Sequence, residues 1–180
     1  MLKAIILARV STEDQMTEGH SIPAQLERAR EYVRRNGFEI QSEHSFDESS
    51  LKDYRTKFEL VVEEIRQSKE EISLIVETID RLQRSFKESV LLETFRKEGK
   101  IRIHFLRENL IIHKDSNSSE LIRWDFGVVM ARNFVLQIGD NVKRSIAEKI
   151  KNGEYAGHAP FGYVNIKDEN DKSTTEPHPL

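Results

Sequence analysis

Four strand-like segments separated by helical ones constrain the fold of this 180-residue chain more than any other feature. The strand-like segments span residues 4–10, 38–46, 72–78 and 101–106. Apolar side chains at helical spacing fill the intervals between them, at residues 22–36, 58–65 and 90–95. This alternation predicts an α/β fold with a mostly parallel central sheet flanked by helices, and it places ligands near the carboxyl ends of the strands.

The composition excludes several classes of protein. The chain has no cysteine, which rules out disulfides, thiol catalysis and cysteine-ligated zinc and favours an intracellular, cytoplasmic location. No apolar run approaches the roughly 18 residues of a membrane span, and the N-terminus lacks a signal-peptide cleavage site. We therefore expect no membrane partner.

The charge is unevenly distributed. A net charge of −3 is unusual for a protein that binds nucleic acid, because phosphate binding normally requires a basic surface. Residues 142–167 nevertheless carry five lysines and arginines against two glutamates. The candidate DNA-binding residues in this basic strip are Lys143, Arg144, Lys149 and Lys151.

Polar side chains follow two of the predicted strands. Arg9 and Ser11 stand at the end of the first, and Asp80-Arg81 with Arg84 follow the third. Arginines that converge on one place repel one another unless an anion lies among them, and their planar guanidinium groups suit phosphate oxygens. The alternative is ordinary: most serines at such positions are loop residues or helix caps, and most surface arginines pair with nearby carboxylates.

A long apolar-rich segment, residues 119–151, lacks proline and would reach about 50 Å as one helix. It carries an apolar stripe broad enough to bury against a neighbouring subunit, formed by Leu121, Trp124, Val128, Ala131, Val135, Ile138, Val142, Ile146 and Ile150. The alternative is a core helix broken into two, since Gly127 and Gly139 each cost about 1 kcal/mol in a helix interior. Asn152-Gly153 ends the helix, and we expect the polar segment from Lys167 to Leu180 to be disordered.

Several separate motifs, in order, resemble the resolvase/invertase catalytic domain of serine site-specific recombinases. They are Arg9-Val-Ser11-Thr-Glu-Asp-Gln15, Gly19-His-Ser-Ile-Pro-Ala-Gln25, Arg55 and Asp80-Arg81-Leu-Gln-Arg84. The Gly19-to-Pro23 stretch and Asn152-Gly153-Glu-Tyr-Ala-Gly157-His-Ala-Pro160-Phe-Gly162-Tyr163 resemble the large serine recombinases, which include phage integrases and mobile-element transposases. One departure is Ser49-Ser50, where the family usually has Ser-Gly, and it leaves the placement of Arg55 open.

The resemblance implies a role for each matching residue. Ser11 becomes the nucleophile that forms a 5′-phosphoserine bond and releases a 3′ hydroxyl. The arginines that hold the scissile phosphate are Arg9, Arg55, Arg81 and Arg84. Gln25 matches a polar active-site residue, and Asp80 matches an acid that organises the arginines or handles protons.

The resemblance also implies a domain organisation and partners. Residues 1–118 match a resolvase-like catalytic domain and residues 119–152 match the helix that assembles dimers and tetramers. Residues 153–180 match a linker and the start of a DNA-binding recombinase domain, as in a fragment of a longer protein. The implied partners are double-stranded DNA attachment sites and further copies of the chain, and the sequence identifies no directionality factor.

The physical chemistry is consistent with these implied roles. Fixed cations stabilise the charge that gathers on the phosphate oxygens during attack, so no metal is required. Rejoining needs no nucleotide cofactor, because the phosphoserine link retains the energy of the DNA bond. Two other functions remain open. One is a non-cutting assembly module, and the other is a metal-dependent nuclease using Asp47, Glu48 and Asp53.

Overall fold

The computed structural model describes residues 2–10, 21–47, 51–82 and 86–178. Its strands are β1 (Lys3–Val10), β2 (Glu39–Asp47), β3 (Ile72–Val76), β4 (Ile101–Phe105), β5 (Leu110–Ile112), β6 (Tyr163–Lys167) and β7 (Ser173–Pro177). Its helices are α1 (Ile22–Arg35), α2 (Leu51–Gln67), α3 (Ile79–Leu82), α4 (Phe86–Lys97) and α5 (Ser118–Lys151).

Within these described residues, one five-stranded sheet has the order β2-β1-β3-β4-β5. The first four strands in this order are parallel, and β5 is antiparallel to β4. The predicted α/β fold with a mostly parallel sheet is therefore confirmed. Because β1, β3 and β4 run in the same direction, the residues that follow them lie along one edge of the sheet, which we name the carboxyl edge.

Helices cover both faces of this sheet. Alternate residues of β1 point to opposite faces, as strand geometry requires. Ala4 and Ile6 pack with Ala29 and Val33 of α1. Ile5 and Leu7 belong to the larger core on the other face, which includes residues of α2, α3, α4 and the start of α5.

Two short elements were not predicted from the sequence. Helix α3 is a single four-residue turn directly after β3, and β5 is a three-residue strand after β4. Segments this short carry too few residues to establish a periodicity. Helix α2 also begins at Leu51, earlier than the predicted start at Phe58.

Helix α5 is continuous, so the alternative of two helices broken at Gly127 and Gly139 is wrong. Gly127 has a packing role, since a Cβ atom there would lie 2.4 Å from Cδ1 of Ile79. The first part of the predicted stripe faces the chain's own core, with Trp124 buried and Leu121 packed against it. From Val135 onward the apolar members of the stripe are exposed.

Residues 1–132 and 133–180 form two compact units. In the second unit, β6 and β7 pair as an antiparallel hairpin, so the expectation of disorder from Lys167 onward is wrong for residues 167–178. The Asp168 carboxylate stabilises the turn by accepting hydrogen bonds of 2.8 Å from the backbone N–H groups of Asn170 and Lys172. The hairpin could not be predicted from its polar composition, because backbone pairing and turn hydrogen bonds stabilise it.

Candidate active site

The candidate catalytic residues fall into two groups. Arg9 in β1, Gln25 in α1, and Asp80 and Arg81 in α3 have described positions. Ser11 and Arg84 lie outside the described residues. Arg55 is placed in the second turn of α2 by its backbone, and its side chain lies outside the description.

Arg9 is buried and joins the end of β1 to α3. Its Nε atom donates a hydrogen bond of 3.2 Å to the carbonyl oxygen of Arg81, and its Nη2 atom donates to the carbonyl oxygen of Asp80. Asp80 and Arg81 lie 71 and 72 positions from Arg9 in the sequence. The tertiary structure thus brings together the two polar clusters whose meeting the sequence periodicity left open.

The Asp80 and Arg81 side chains also contact each other. Nε of Arg81 lies 3.3 Å from Oδ2 of Asp80, and most of the Arg81 side chain is shielded from solvent. The Arg9 guanidinium therefore lies against an acid–arginine pair at the carboxyl edge. Guanidinium groups suit phosphate oxygens, which accept several charge-assisted hydrogen bonds. Here the protein itself holds Arg9 through Nε and Nη2, and Arg81 through Nε.

Gln25 holds the backbone of Arg9. Its Oε1 atom accepts a hydrogen bond of 3.1 Å from the Arg9 N–H, and its Nε2 atom donates one of 2.8 Å to the Arg9 carbonyl oxygen. β3 pairs with β1 only as far as Leu7, so beyond that point the backbone needs another partner. The buried Gln25 amide supplies it, which makes Gln25 a residue that positions Arg9.

Glu108 and Gly127 support α3, and neither was predicted from the sequence to be part of the site. The Ile79 N–H at the start of α3 donates a hydrogen bond of 3.1 Å to Oε1 of Glu108. Gly127 of α5 lets that helix approach Ile79 closely. Of these two contacts, only the close approach at Gly127 could have been predicted from the sequence, because a glycine inside a helical pattern often has a packing reason.

The acidic residues considered for a metal site give no described arrangement. Asp47 ends β2 and Asp53 lies in α2, with side chains outside the description, and Glu48 lies outside the described residues. Among the side chains that the structure does describe, no group of three or more potential metal ligands occurs.

The four candidate DNA-binding residues of the basic strip lie on the C-terminal part of α5, where Lys149 is half-buried and the other three are exposed. Lys143 is mostly exposed and lies 3.8 Å from Asp140, and Arg144 donates a hydrogen bond of 2.6 Å to Asn141. Lys149 lines an open cavity of about 680 Å³ in the second unit, together with Val142, Ser145, Ile146, Tyr155, Ala156, Gly157, His158, Asn165, Ile166, Lys167 and Ser173. Two of these lining residues are joined, since the Tyr155 N–H donates a hydrogen bond of 2.7 Å to the Ser173 carbonyl oxygen.

None of the helices described is both long enough and apolar enough to span a lipid bilayer. Although α5 has the length, charged residues recur along it.

Comparison with known proteins gives one family. Residues 4–155 match the family model described as "Resolvase, N terminal domain". A search of curated protein sequences found no significant match.

Two solved structures share the fold. The N-terminal catalytic domain of TP901-1 integrase is 21% identical, with a TM-score of 0.54, over 76% of this chain and 98% of that one. A resolvase family site-specific recombinase from Streptococcus pneumoniae is 18% identical, with a TM-score of 0.55, over 81% of this chain and 98% of that one. At these identities the similarity establishes a common fold.

Proposed function

The chain belongs to the resolvase family of serine recombinases, and from this premise we propose that it cuts and rejoins DNA with Ser11 as the nucleophile. Family membership establishes site-specific recombination in general terms. The specific chemistry, the roles of individual residues and the DNA contacts are our proposal.

In the proposed reaction, the Ser11 oxygen attacks a backbone phosphorus atom of the DNA. A phosphorus–oxygen bond forms to the serine, and the bond from phosphorus to the 3′ oxygen breaks. The products are a 5′-phosphoserine link and a 3′ hydroxyl, which gains the proton that the serine loses. Rejoining reverses these steps after strand exchange, so the bond count is conserved and no nucleotide cofactor is consumed.

The contact of Arg9 with the Asp80–Arg81 helix supports this proposal most directly. Ser11 is two residues beyond Arg9 in the chain, so a guanidinium fixed on α3 anchors the segment that leads to the nucleophile. Arg9 and Arg81 together would stabilise charge on the non-bridging oxygens, and Arg55 and Arg84 would add to them. Loss of one such donor typically slows a reaction by about 10²- to 10³-fold.

Assembly and DNA contacts complete the proposal. The exposed apolar residues of α5 from Phe134 onward favour burial against a second copy of the chain, in a dimer or tetramer. The lysines and arginine of the basic strip would contact the DNA backbone without reading its sequence. In this proposal residues 1–118 catalyse, residues 119–152 assemble the oligomer, and residues 153–180 begin the DNA-binding part.

The test is to trap the covalent intermediate. Protein is incubated with a plasmid pool carrying candidate attachment sequences, in chelator, and the reaction is stopped with denaturant. We expect 5′-linked protein–DNA adducts with the wild type and none with Ser11→Ala. Ser21→Ala is the matched control, because Ser21 precedes α1 without a side-chain capping hydrogen bond, and it should form adducts normally.

Other results would favour the other functions. Adducts that persist in Ser11→Ala would contradict the role of Ser11. Cleavage without an adduct that requires Mg²⁺ would favour a nuclease. DNA binding without any cleavage would favour an assembly module.

A further inference from the structure

A second cluster of arginines surrounds Glu77, the first residue after β3. The Glu77 side chain is 6% exposed. Nη2 of Arg28 donates to both of its carboxylate oxygens, at 2.7 and 2.9 Å, and Nε of Arg107 donates to Oε1 at 2.7 Å. Arg28 comes from α1 and Arg107 from the turn after β4, so three elements meet at this carboxylate.

The backbone fixes Arg107 in place. The Arg107 N–H donates to the Glu77 carbonyl oxygen at 2.9 Å, and the Leu106 N–H donates to the Val76 carbonyl oxygen at 3.0 Å. These bonds continue the β3–β4 pairing beyond the end of both strands. Arg107 is therefore held through its backbone and its Nε atom at the same time.

The cluster carries more positive charge than the burial of Glu77 requires. One guanidinium that engages both oxygens already compensates a buried carboxylate, and Arg28 does so. Arg107 adds a second positive charge, and its side chain is 47% exposed. Among the described residues its two terminal nitrogens have no hydrogen-bond acceptor, so up to four N–H groups face outward.

This cluster and Arg9 lie on the same carboxyl edge. Glu77 follows β3 and Arg107 follows β4, as Arg9 ends β1. Gln25 and Arg28 are three residues apart on α1, about 4.5 Å along its axis, and they hold Arg9 and Glu77 respectively. A duplex carries one phosphate charge per roughly 1.7 Å of its axis, so DNA with one phosphate at Arg9 has others close by.

We propose that Arg107, oriented by Glu77 and Arg28, binds a non-scissile backbone phosphate of the DNA beside the cleavage site. The proposal rests on the proposed function only in that both use the same DNA. Arg107 is then a binding residue for the substrate, and Glu77 and Arg28 are the residues that position it.

The test measures DNA binding alone, in a Ser11→Ala background, so that cleavage cannot affect the result. Fluorescence anisotropy with a labelled 30-base-pair duplex gives the affinity between 25 and 100 mM salt. Each lost phosphate contact lowers the salt dependence by about one counterion. Raising the salt from 25 to 100 mM should therefore weaken DNA binding by the parent more than by Arg107→Gln. The ratio of the parent's affinity to the variant's affinity should fall about 3.5-fold.

Two further variants control for charge and for folding. Arg102→Gln removes one positive charge from the other end of β4. Arg102 is 37% exposed there and lies 3.1 Å from Glu71. This variant should leave the salt dependence of DNA binding unchanged. Arg107→Lys keeps a point charge and should restore most of the salt dependence. Arg107→Gln leaves the Arg28–Glu77 pair intact, and its circular dichroism should match that of the parent.

An unchanged salt dependence in Arg107→Gln would overturn the proposal, as would an equal decrease in Arg102→Gln. Failure of the parent protein to bind DNA at 25 mM salt would contradict the proposed function as well. Normal binding with no adducts in the trapping experiment would remove the nucleophile and leave Arg107 as a DNA contact.

Discussion

The two parts of helix α5 have similar apolar sequences and different surroundings. In the first part, Trp124 is buried, and Leu121 and Val128 pack against the core of the unit that contains the five-stranded sheet. In the second part, Val135 and Ile150 continue the same stripe and are exposed. Helical periodicity therefore predicts which face of a helix is apolar, and it does not identify the surface that covers that face.

A second difference is on the opposite side of the helix. Exposed apolar residues also recur there, at Ile122, Phe126, Val129, Met130 and Phe134. These residues lie outside the stripe that was predicted from the sequence. With both sides apolar, α5 has more hydrophobic surface than one small sheet can cover, which agrees with its proposed role in assembly.

The largest effect on the free energy of unfolding is expected when a large side chain is truncated in the first part of α5 and not in the second. Trp124, 3% exposed, fills the core, so Trp124→Ala should lower the free energy of unfolding by about 3–5 kcal/mol. Phe134, 62% exposed, is the matched control, and Phe134→Ala should change it by no more than about 0.5 kcal/mol. Urea denaturation at low protein concentration measures both.

Phe134→Ala should instead weaken self-association, as measured by sedimentation velocity over a range of concentrations. Equal losses of unfolding free energy in the two variants would contradict the distinction between a covered part and an exposed part.

A smaller effect comes from His104, in the sheet that covers the first part of α5. Burial, with smaller contributions from Arg102 and His113, lowers the pKa of His104 from 6.5 to about 4. Below pH 6.5 the unfolded chain takes up a proton that the folded chain does not. The free energy of unfolding should therefore fall by about 1.4 kcal/mol per pH unit down to pH 4, about 3 kcal/mol in total.

The measurement is the pH dependence of urea unfolding for the wild type and for His104→Phe. The variant removes the titrating group and keeps an aromatic ring beside Tyr32 and Phe38, which contact His104 edge-on. The difference between the two curves should be flat above pH 6.5 and sloped below it. A difference that stays flat to pH 4 would show that His104 does not titrate this way.

The smallest expected change in the free energy of unfolding comes from replacing either of the two glycines of α5 with alanine. Nothing lies within 4 Å of a Cβ atom placed on Gly139, so Gly139→Ala should raise the free energy of unfolding by about 1 kcal/mol. At Gly127 the added atom would displace Ile79, so Gly127→Ala should lose most or all of this gain. Thermal denaturation of both variants gives the comparison, and equal gains would mean that Gly127 has no packing role.

Most strands of the five-stranded sheet were predictable from the local pattern of apolar and polar residues. β1 was expected at residues 4–10 and is observed at Lys3–Val10, because a continuous aliphatic run ending in polar residues has few other stable structures. The prediction failed at β7, whose residues are mostly polar. There the strand is specified by its pairing with β6, which composition does not reveal.

The candidate site was predictable in position and not in its contacts. The sequence located Arg9 and Asp80-Arg81 at strand ends, and parallel strands bring such ends to one edge. It gave Gln25 only through family resemblance and did not suggest that the Gln25 amide holds the backbone of Arg9. A side chain that replaces a missing strand partner is visible only once the length of the neighbouring strand is known.

The sequence by itself determined the order of the first four strands and the four longer helices, the carboxyl edge and the family, since these depend on periodicity and short motifs. The tertiary structure alone decided which charges meet. Glu77 is buried, and its partners Arg28 and Arg107 lie 49 and 30 positions away in the chain. A buried carboxylate needs partners that the packing of three elements supplies, and no local pattern encodes that packing.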